Sequence, residues 1–453
     1  MKTASTGILT LAERLPSVRD GERFDIIVAG GGASGLMASV AAARRGAKVL
    51  VVESSGCFGG AATTSMVAQW LGFYNGETCA VGGLPIEYAE RIAARGGTVG
   101  FENYVLAEAS AQPMNLKRLP FNPEIVKLVS DELVLECGAS ALLHAQVVGA
   151  TMADKRIASV EIQTSGGRMT LAATCFVDAT GDAVLARHAG APLKGTETGR
   201  DRMGMSLLFR LSHVDVARFR QLPRAEKRAI ALEGIASGEL FWDVLSVSPV
   251  GSSDAICLMS HIDGLDALDA NELTRAELIG RYQVGRITGF LKRRMSGFEH
   301  AELSAIASHV GVRESVRLEG DYLLTQDDVM GARGFEDSIA LGCGPLDVHE
   351  EGGRLKLFMP PMPFEIPMRT MTSQVVDNLV VTGRAISATR EANGAIRHQA
   401  TAMALGQAAG HLAAHAAAEG LVRQVAASAV QDTLAAAGAI AMRMHLPKAM
   451  AAE

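Results

Sequence analysis

Cysteine pairs are missing from this chain. Its six cysteines include no C-x-x-C spacing, so neither a zinc ribbon nor a redox dithiol is indicated. Scattered thiols in 453 residues fit a reducing compartment. No uninterrupted run of about 18 apolar residues occurs, so no membrane span is expected. A strong charge is also lacking. The net value of −6 leaves no basic footprint for nucleic acid. The opening stretch has one lysine and a short apolar run broken by Glu13 and Arg14, with no twin arginine. That makes a poor secretory leader, and the cytoplasm is the expected location. Internal repeats and low-complexity tracts are absent too. What remains is 48% hydrophobic and 20% charged, which suits a large core in two or three domains, or one domain with an insertion.

Residues 24–54 carry the first positive signal. A β-branched apolar run, Asp25 to Ala29, leads into Gly30, Gly32 and Gly35 spaced as G-x-G-x-x-G. The first glycine permits a tight turn, the second a close approach to a pyrophosphate, and the third close packing of helix on strand. An alanine-rich helix follows and stops near Gly46. A second buried strand then ends in Glu53. A carboxylate there suits a pair of ribose hydroxyls and repels a 2′-phosphate. Strand, glycines, helix, strand and acid in that order make a site for an adenine dinucleotide. This unit alone leaves NAD and FAD open.

Later glycine turns separate the two. Gly59 and Gly60 follow Glu53, a buried strand runs into Ala179, Thr180, Gly181 and Asp182, and another reaches Gly383 before a long helix. Several strand-to-glycine turns converging on one ligand imply a long, folded-over molecule. A nicotinamide dehydrogenase needs only the first. These elements resemble the FAD-dependent oxidoreductases of the glutathione-reductase structural superfamily. More narrowly, they resemble the single-dinucleotide group distantly related to fumarate reductase flavoproteins. Residues 310–329 and Leu346–His349 fit that group as well.

The resemblance implies an α/β fold: an FAD-binding Rossmann-like domain, with a parallel sheet plus a β-meander, and an inserted α+β substrate or cap domain. It implies FAD contacts at Gly30, Gly32, Ala33, Ser34 and Gly35 for the pyrophosphate, and at Glu53 and Ser54 for the ribose. Gly59, Gly60 and Ala61 form the next turn, and Val147 lends backbone to the adenine. Ala179, Gly181 and Asp182 sit by the pyrophosphate and ribityl chain. Gly383 and Arg384 offer backbone where many flavoproteins place an acid. Ala395 and Ile396 lie at a helix start that faces the flavin pyrimidine carbonyls, where a positive helix end favours the reduced anion.

The dinucleotide domain is expected to be discontinuous, 20–195 and 306–425, around a cap of 196–305 and ahead of a helical tail, 426–453. The basic end of the cap helix, Lys292 to Arg294, reads as a solvated last turn. The absent second G-x-G-x-x-G disfavours a second, NADPH-binding domain. The expected chemistry is therefore hydride transfer between a small organic substrate and flavin N5. An NAD-dependent dehydrogenase and a non-catalytic flavin sensor are the competing readings. His349, His398, Arg369 and Arg397 are the catalytic candidates, each with a plainer structural alternative. For Arg369 that alternative is an ion pair; for Arg313, Glu314 and Arg317 mutual pairing is the favoured reading and substrate contact the lesser one. Tyr322 reads as a half-buried strand tyrosine and Cys57 as a small packed residue. No metal ligand set stands out, the electron acceptor is open, and a homodimer is one possible assembly.

Overall fold

The computed structural model describes residues 15–108, 113–195, 202–349 and 355–446. Strand β1 (Arg23–Ala29) leads through the glycine turn into α1 (Ala33–Arg44) and then β2 (Val49–Val52). The two strands run parallel, with Ile26 opposite Val49. A right-handed crossover through a helix is the usual way to join such neighbours. Helix α2 (Pro123–Cys137) starts where the Asn122 side chain accepts the Glu124 N–H at 3.1 Å. It stops at Gly138, whose φ of 74° suits a residue without Cβ. Strand β3 (Ser140–Leu142) then joins β2 in parallel.

The strands β4 (Gln146–Ala153), β5 (Arg156–Thr164) and β6 (Gly167–Asp178) form an antiparallel meander. β6 belongs to two environments. Its first four residues are largely open, the middle four alternate buried and half-buried, as in a strand with one wet face, and its last four are all buried. That second half pairs in parallel with β1, placing Ala29 beside Asp178.

The chain then leaves this sheet. Strands β7 (Phe209–Ser212), β8 (Ser246–Val250) and β9 (Asp254–Leu258), the helix α3 (Ala270–Arg294) and β10 (Glu302–Ile306) follow. The four strands form a separate antiparallel sheet in the order β8-β9-β7-β10. A hydrophobic core drawn from residues 205–310 packs around it. The basic end of α3 is paired, Arg293 with Glu239 and Arg294 with Glu233. One feature was not read from the sequence: strands Glu102–Leu106 and Met114–Pro120 pair with each other, away from the dinucleotide sheet. They brace the inserted sheet through Tyr104 Oη to Ser246 Oγ (2.9 Å) and Arg118 to the Val247 carbonyl (3.3 Å).

After the insertion come β11 (Leu346–His349) and β12 (Leu379–Val381), then α4 (Arg390–Ile396), α5 (Gln399–Glu419) and α6 (Ala427–Ala436). β12 pairs in parallel with the end of β6, so the parallel layer runs β3-β2-β1-β6-β12. Helix α5 lies against α1 through small residues. A Cβ on Gly406 would stand 2.1 Å from the Ser34 carbonyl oxygen, and one on Gly410 2.4 Å from that of Ala38. Among the described residues, no helix is long and apolar enough to cross a membrane.

Candidate active site

Four turns meet around one cavity. In the first, Gly30 has a φ of 94°, and a Cβ there would strike the Ala179 carbonyl at 2.6 Å. The second docks on the first: Gly59 N–H donates to the Gly31 carbonyl at 2.9 Å, and a Cβ on Gly60 would lie 2.8 Å from Gly32 Cα. Glu53, at the end of β2, holds both. Its Oε2 accepts Gly31 N–H at 2.7 Å and its Oε1 accepts Ser55 N–H at 2.7 Å.

Asp178 shapes the third turn by accepting the Thr180 N–H (3.0 Å), the Thr180 hydroxyl (2.7 Å) and the Ala186 N–H (2.8 Å). Burial pushes its carboxyl up from the ordinary range, against those bonds. The fourth turn is tied to the first by the Thr382 and Ser34 hydroxyls, 2.8 Å apart. Arg384 locks the third and fourth together. It donates to the Gly181 carbonyl at 2.8 Å, to the Val312 carbonyl at 2.6 Å and to Asp182 Oδ1 at 2.6 Å.

The enclosed cavity has a volume of about 330 Å³. Gly30, Gly32, Ala33, Ser34, Glu53, Ser54, Gly60, Ala61, Val147, Ala179, Gly181, Asp182, Gly383 and Arg384 line it. Gly35 and Gly59 shape it from behind: a Cβ on Gly35 would fall 1.8 Å from the Gly30 carbonyl oxygen. Ala395 and Ile396 sit elsewhere. Both are fully buried inside α4, which ends before the cavity. The helix expected to start near Ile396 starts at Gln399, with His398 before its first residue and the short α4 ahead of it, so that Arg397, Gln399 and Ala402 reach the cavity instead. Thr180, Thr382 and Gln146 also line it. Each neighbours a residue already singled out, which was the available signal.

A second cavity of about 190 Å³ adjoins the first. The two share Ala61, Arg384, Arg397 and Gln399 in their walls. Leu208, Trp242, Val244, Ser246 and Leu258 of the insertion form one side, and Arg313, Asp347, Leu355 and His398 contribute from the other. Arg397 donates to Asp347 Oδ2 at 2.8 Å. The His398 ring is buried, and its Nε2 lies 2.9 Å from the Pro345 carbonyl. A carbonyl only accepts, so Nε2 carries the proton and Nδ1 keeps a lone pair. Burial, reinforced by the Arg397 charge, lowers the His398 pKa to about 4, so the ring is neutral at pH 7.

Arg369 and Tyr322 line neither cavity. Arg369 is half exposed and ion-paired to Asp337, with Nε 2.9 Å from Oδ2. Tyr322 lies in a bend rather than a strand, and its hydroxyl donates to Asp328 at 3.0 Å. His349 ends β11, with its backbone opposite Leu355, and its side chain lies outside the described residues. Of the charge-dense stretch, Glu314 pairs with Arg317 (2.8 Å) and Arg390 (3.3 Å), whereas Arg313 turns to the second cavity. Cys57 is half-buried and, like the other five cysteines, free.

Residues 25–434 match the family model described as FAD dependent oxidoreductase. Among solved structures, the flavin-dependent brominase Bmp2 superposes with a TM-score of 0.50 at 12% identity, covering 90% of this chain and 83% of that one. A geranylgeranyl bacteriochlorophyll reductase-like protein from Thermoplasma acidophilum has a TM-score of 0.49 at 14% identity, over 92% and 83%. The p-nitrophenol 4-monooxygenase of Pseudomonas putida DLL-E4 has 0.46 at 11%, over 91% and 84%. At such identity the likeness to Bmp2 shows a shared fold and nothing finer. No curated protein matches the sequence significantly.

Proposed function

The chain belongs to the FAD-dependent oxidoreductase family, and from that premise we propose that it moves a hydride between a small organic substrate in the second cavity and N5 of FAD in the first. Family membership makes it an oxidoreductase with FAD as cofactor, which sets aside the nicotinamide dehydrogenase and the non-catalytic sensor. The residues fit that cofactor. Backbone amides crowd one side of the first cavity, side chains are barred at Gly30 and Gly60, and nothing lies closer than 3.8 Å to where a Gly32 Cβ would be. The N-terminus of α1 opens onto the same space and suits a pyrophosphate. When bound, FAD supplies a two-electron acceptor or donor at N5.

One observation carries the reading: the dinucleotide cavity and the apolar cavity share walls at Ala61, Arg384, Arg397 and Gln399. The chain's own residues then have distinct tasks. Glu53, having fixed the two turns, retains acceptor capacity for ribose hydroxyls. Arg397 and the opening turn of α5 bring positive potential to the junction. The apolar wall contributed by Leu208, Val244 and Leu258 excludes water. His398, neutral and with Nδ1 unprotonated, is the group proposed to accept the substrate proton.

Anaerobic mixing of the flavin-loaded protein with candidate organic donors tests this. Bleaching of oxidised flavin by a donor, slower when the transferred hydrogen is deuterium, is the expected result. His398→Asn should slow it by about 100-fold, the scale of a lost general base, while FAD stays bound. A donor oxidised without an isotope effect would overturn the hydride step.

A further inference from the structure

Three arginines line the second cavity, and among the described residues two of them have a carboxylate partner. Of its charged wall residues, Arg384 is paired with Asp182 (2.6 Å) and Arg397 with Asp347 (2.8 Å). Arg313 has no carboxylate at ion-pair distance among the described residues. Its hydrogen bonds run to neutral acceptors: the Gly204 carbonyl at 2.5 Å and the Ser206 hydroxyl at 3.0 Å. Two acids reach it only through their fields: Asp347, which is paired with Arg397, and Asp263, whose Oδ2 lies 2.7 Å from His261 Nε2. Burial, then the like charge of Arg397, lowers the Arg313 pKa to about 10, so the guanidinium remains charged at neutral pH.

A buried cation with no carboxylate in contact is costly to keep unless something completes it. The surroundings hold it in place. The guanidinium carbon lies 5.6 Å from the centre of the Trp242 ring, and that ring stacks on His261 at 4.5 Å and 17°. Two of its five N–H groups are committed to Gly204 and Ser206, both just ahead of β7 in the chain. The rest of the cavity wall is chiefly apolar: Val67, Leu71, Leu106, Leu208 and Leu355.

We propose that the substrate of the second cavity is a monocarboxylate with an apolar body, its carboxylate bound by Arg313 and its body against the leucine-rich wall. A single guanidinium without a carboxylate in contact suits a monoanion better than a phosphate dianion. The planar fork of arginine matches a carboxylate in two parallel hydrogen bonds. The proposal deepens the reading above and rests on the second cavity being the substrate site.

The test uses FAD-loaded protein and four probes: hexanoate, phenylacetate, and the amide of each. Binding is followed by the flavin difference spectrum and by thermal unfolding. Saturable binding of at least one acid, at least tenfold tighter than its amide, is expected. Arg313→Met should erase that preference with FAD content unchanged, and Arg313→Lys should keep part of it. Equal binding of acid and amide, a preference that survives Arg313→Met, or failure of both acids to bind overturns the proposal. If Arg313→Met does not fold, the wild-type acid–amide comparison and Arg313→Lys decide it. The two readings fail separately. Acids that bind through Arg313 but never bleach the flavin sink the hydride reading alone, and neutral donors that bleach it equally well in Arg313→Lys sink only this one.

Discussion

Glu53 anchors two turns at once, taking the Gly31 and Ser55 amides at 2.7 Å each. Glu53→Ala strands both amides. Bonds to a charged acceptor contribute about 1.5–3 kcal/mol, so FAD affinity should fall by about 10–100-fold, read by ultrafiltration of released flavin. Arg369 predicts the opposite. Its pair with Asp337 is half exposed, and such pairs contribute less than about 1 kcal/mol. Arg369→Ala should leave flavin reduction within about twofold and melting nearly unchanged. At this scale the glycines and Glu53 were legible in the sequence because their spacing is a local property of one β-α-β unit. Arg313 was not. Its neighbours Glu314 and Arg317 suggest an ion-pair cluster, and only the tertiary fold gives Glu314 to Arg317 and Arg390 while turning Arg313 to the cavity.

Helices α1 and α5 come close because α5 presents Gly406 and Gly410 at the crossing. Ser34 sits in the first cavity and also beneath Gly406, so packing and cofactor binding meet there. Gly406→Ala must displace backbone, since its Cβ would fall 2.1 Å from the Ser34 carbonyl oxygen. Overpacking of this kind costs about 1–3 kcal/mol. Denaturant unfolding should show that loss, together with weaker FAD binding. Gly410→Ala, facing the Ala38 carbonyl at 2.4 Å but one turn further from the cavity, should lower stability with a smaller effect on FAD. Among elements, β1, α1, β2 and the meander could be read from apolar runs and glycine punctuation. The start of α5 could be read to within a few residues of Gln399, but the separate α4 ahead of it and the sharp break between them could not, for neither proline nor glycine stands at Arg397 or His398. It comes from docking: α4 lies on β11, and a Cβ on Gly394 would be 2.8 Å from the Asp347 carbonyl oxygen.

Across the whole molecule, two buried histidines set an acid limit. The His398 and His411 pKa values are both lowered to about 4, chiefly by burial, then by Arg397 and Arg45 respectively. The unfolded chain binds their protons near pH 6.5 and the folded protein does not. Their stability contribution is therefore complete above about pH 6.5 and declines as pH falls toward 4, by up to ~3 kcal/mol for each. Denaturant titrations at pH 7 and pH 4.5 should show the loss, and His411→Leu should reduce it. The insertion was visible in the sequence as a change of texture. The strands at 102–106 and 114–120 that brace it were not, since their pairing with each other and their hold on residues 246–247 are long-range facts.

The central claim is that FAD lies across the four glycine turns with its redox ring where the two cavities meet. A crystal structure of the flavin-loaded chain tests it most directly. The account predicts ring density beside Ala61, Arg384, Arg397 and Gln399, open toward Leu208 and Trp242. A ring lodged away from that junction, with the second cavity walled off from it, would contradict the account.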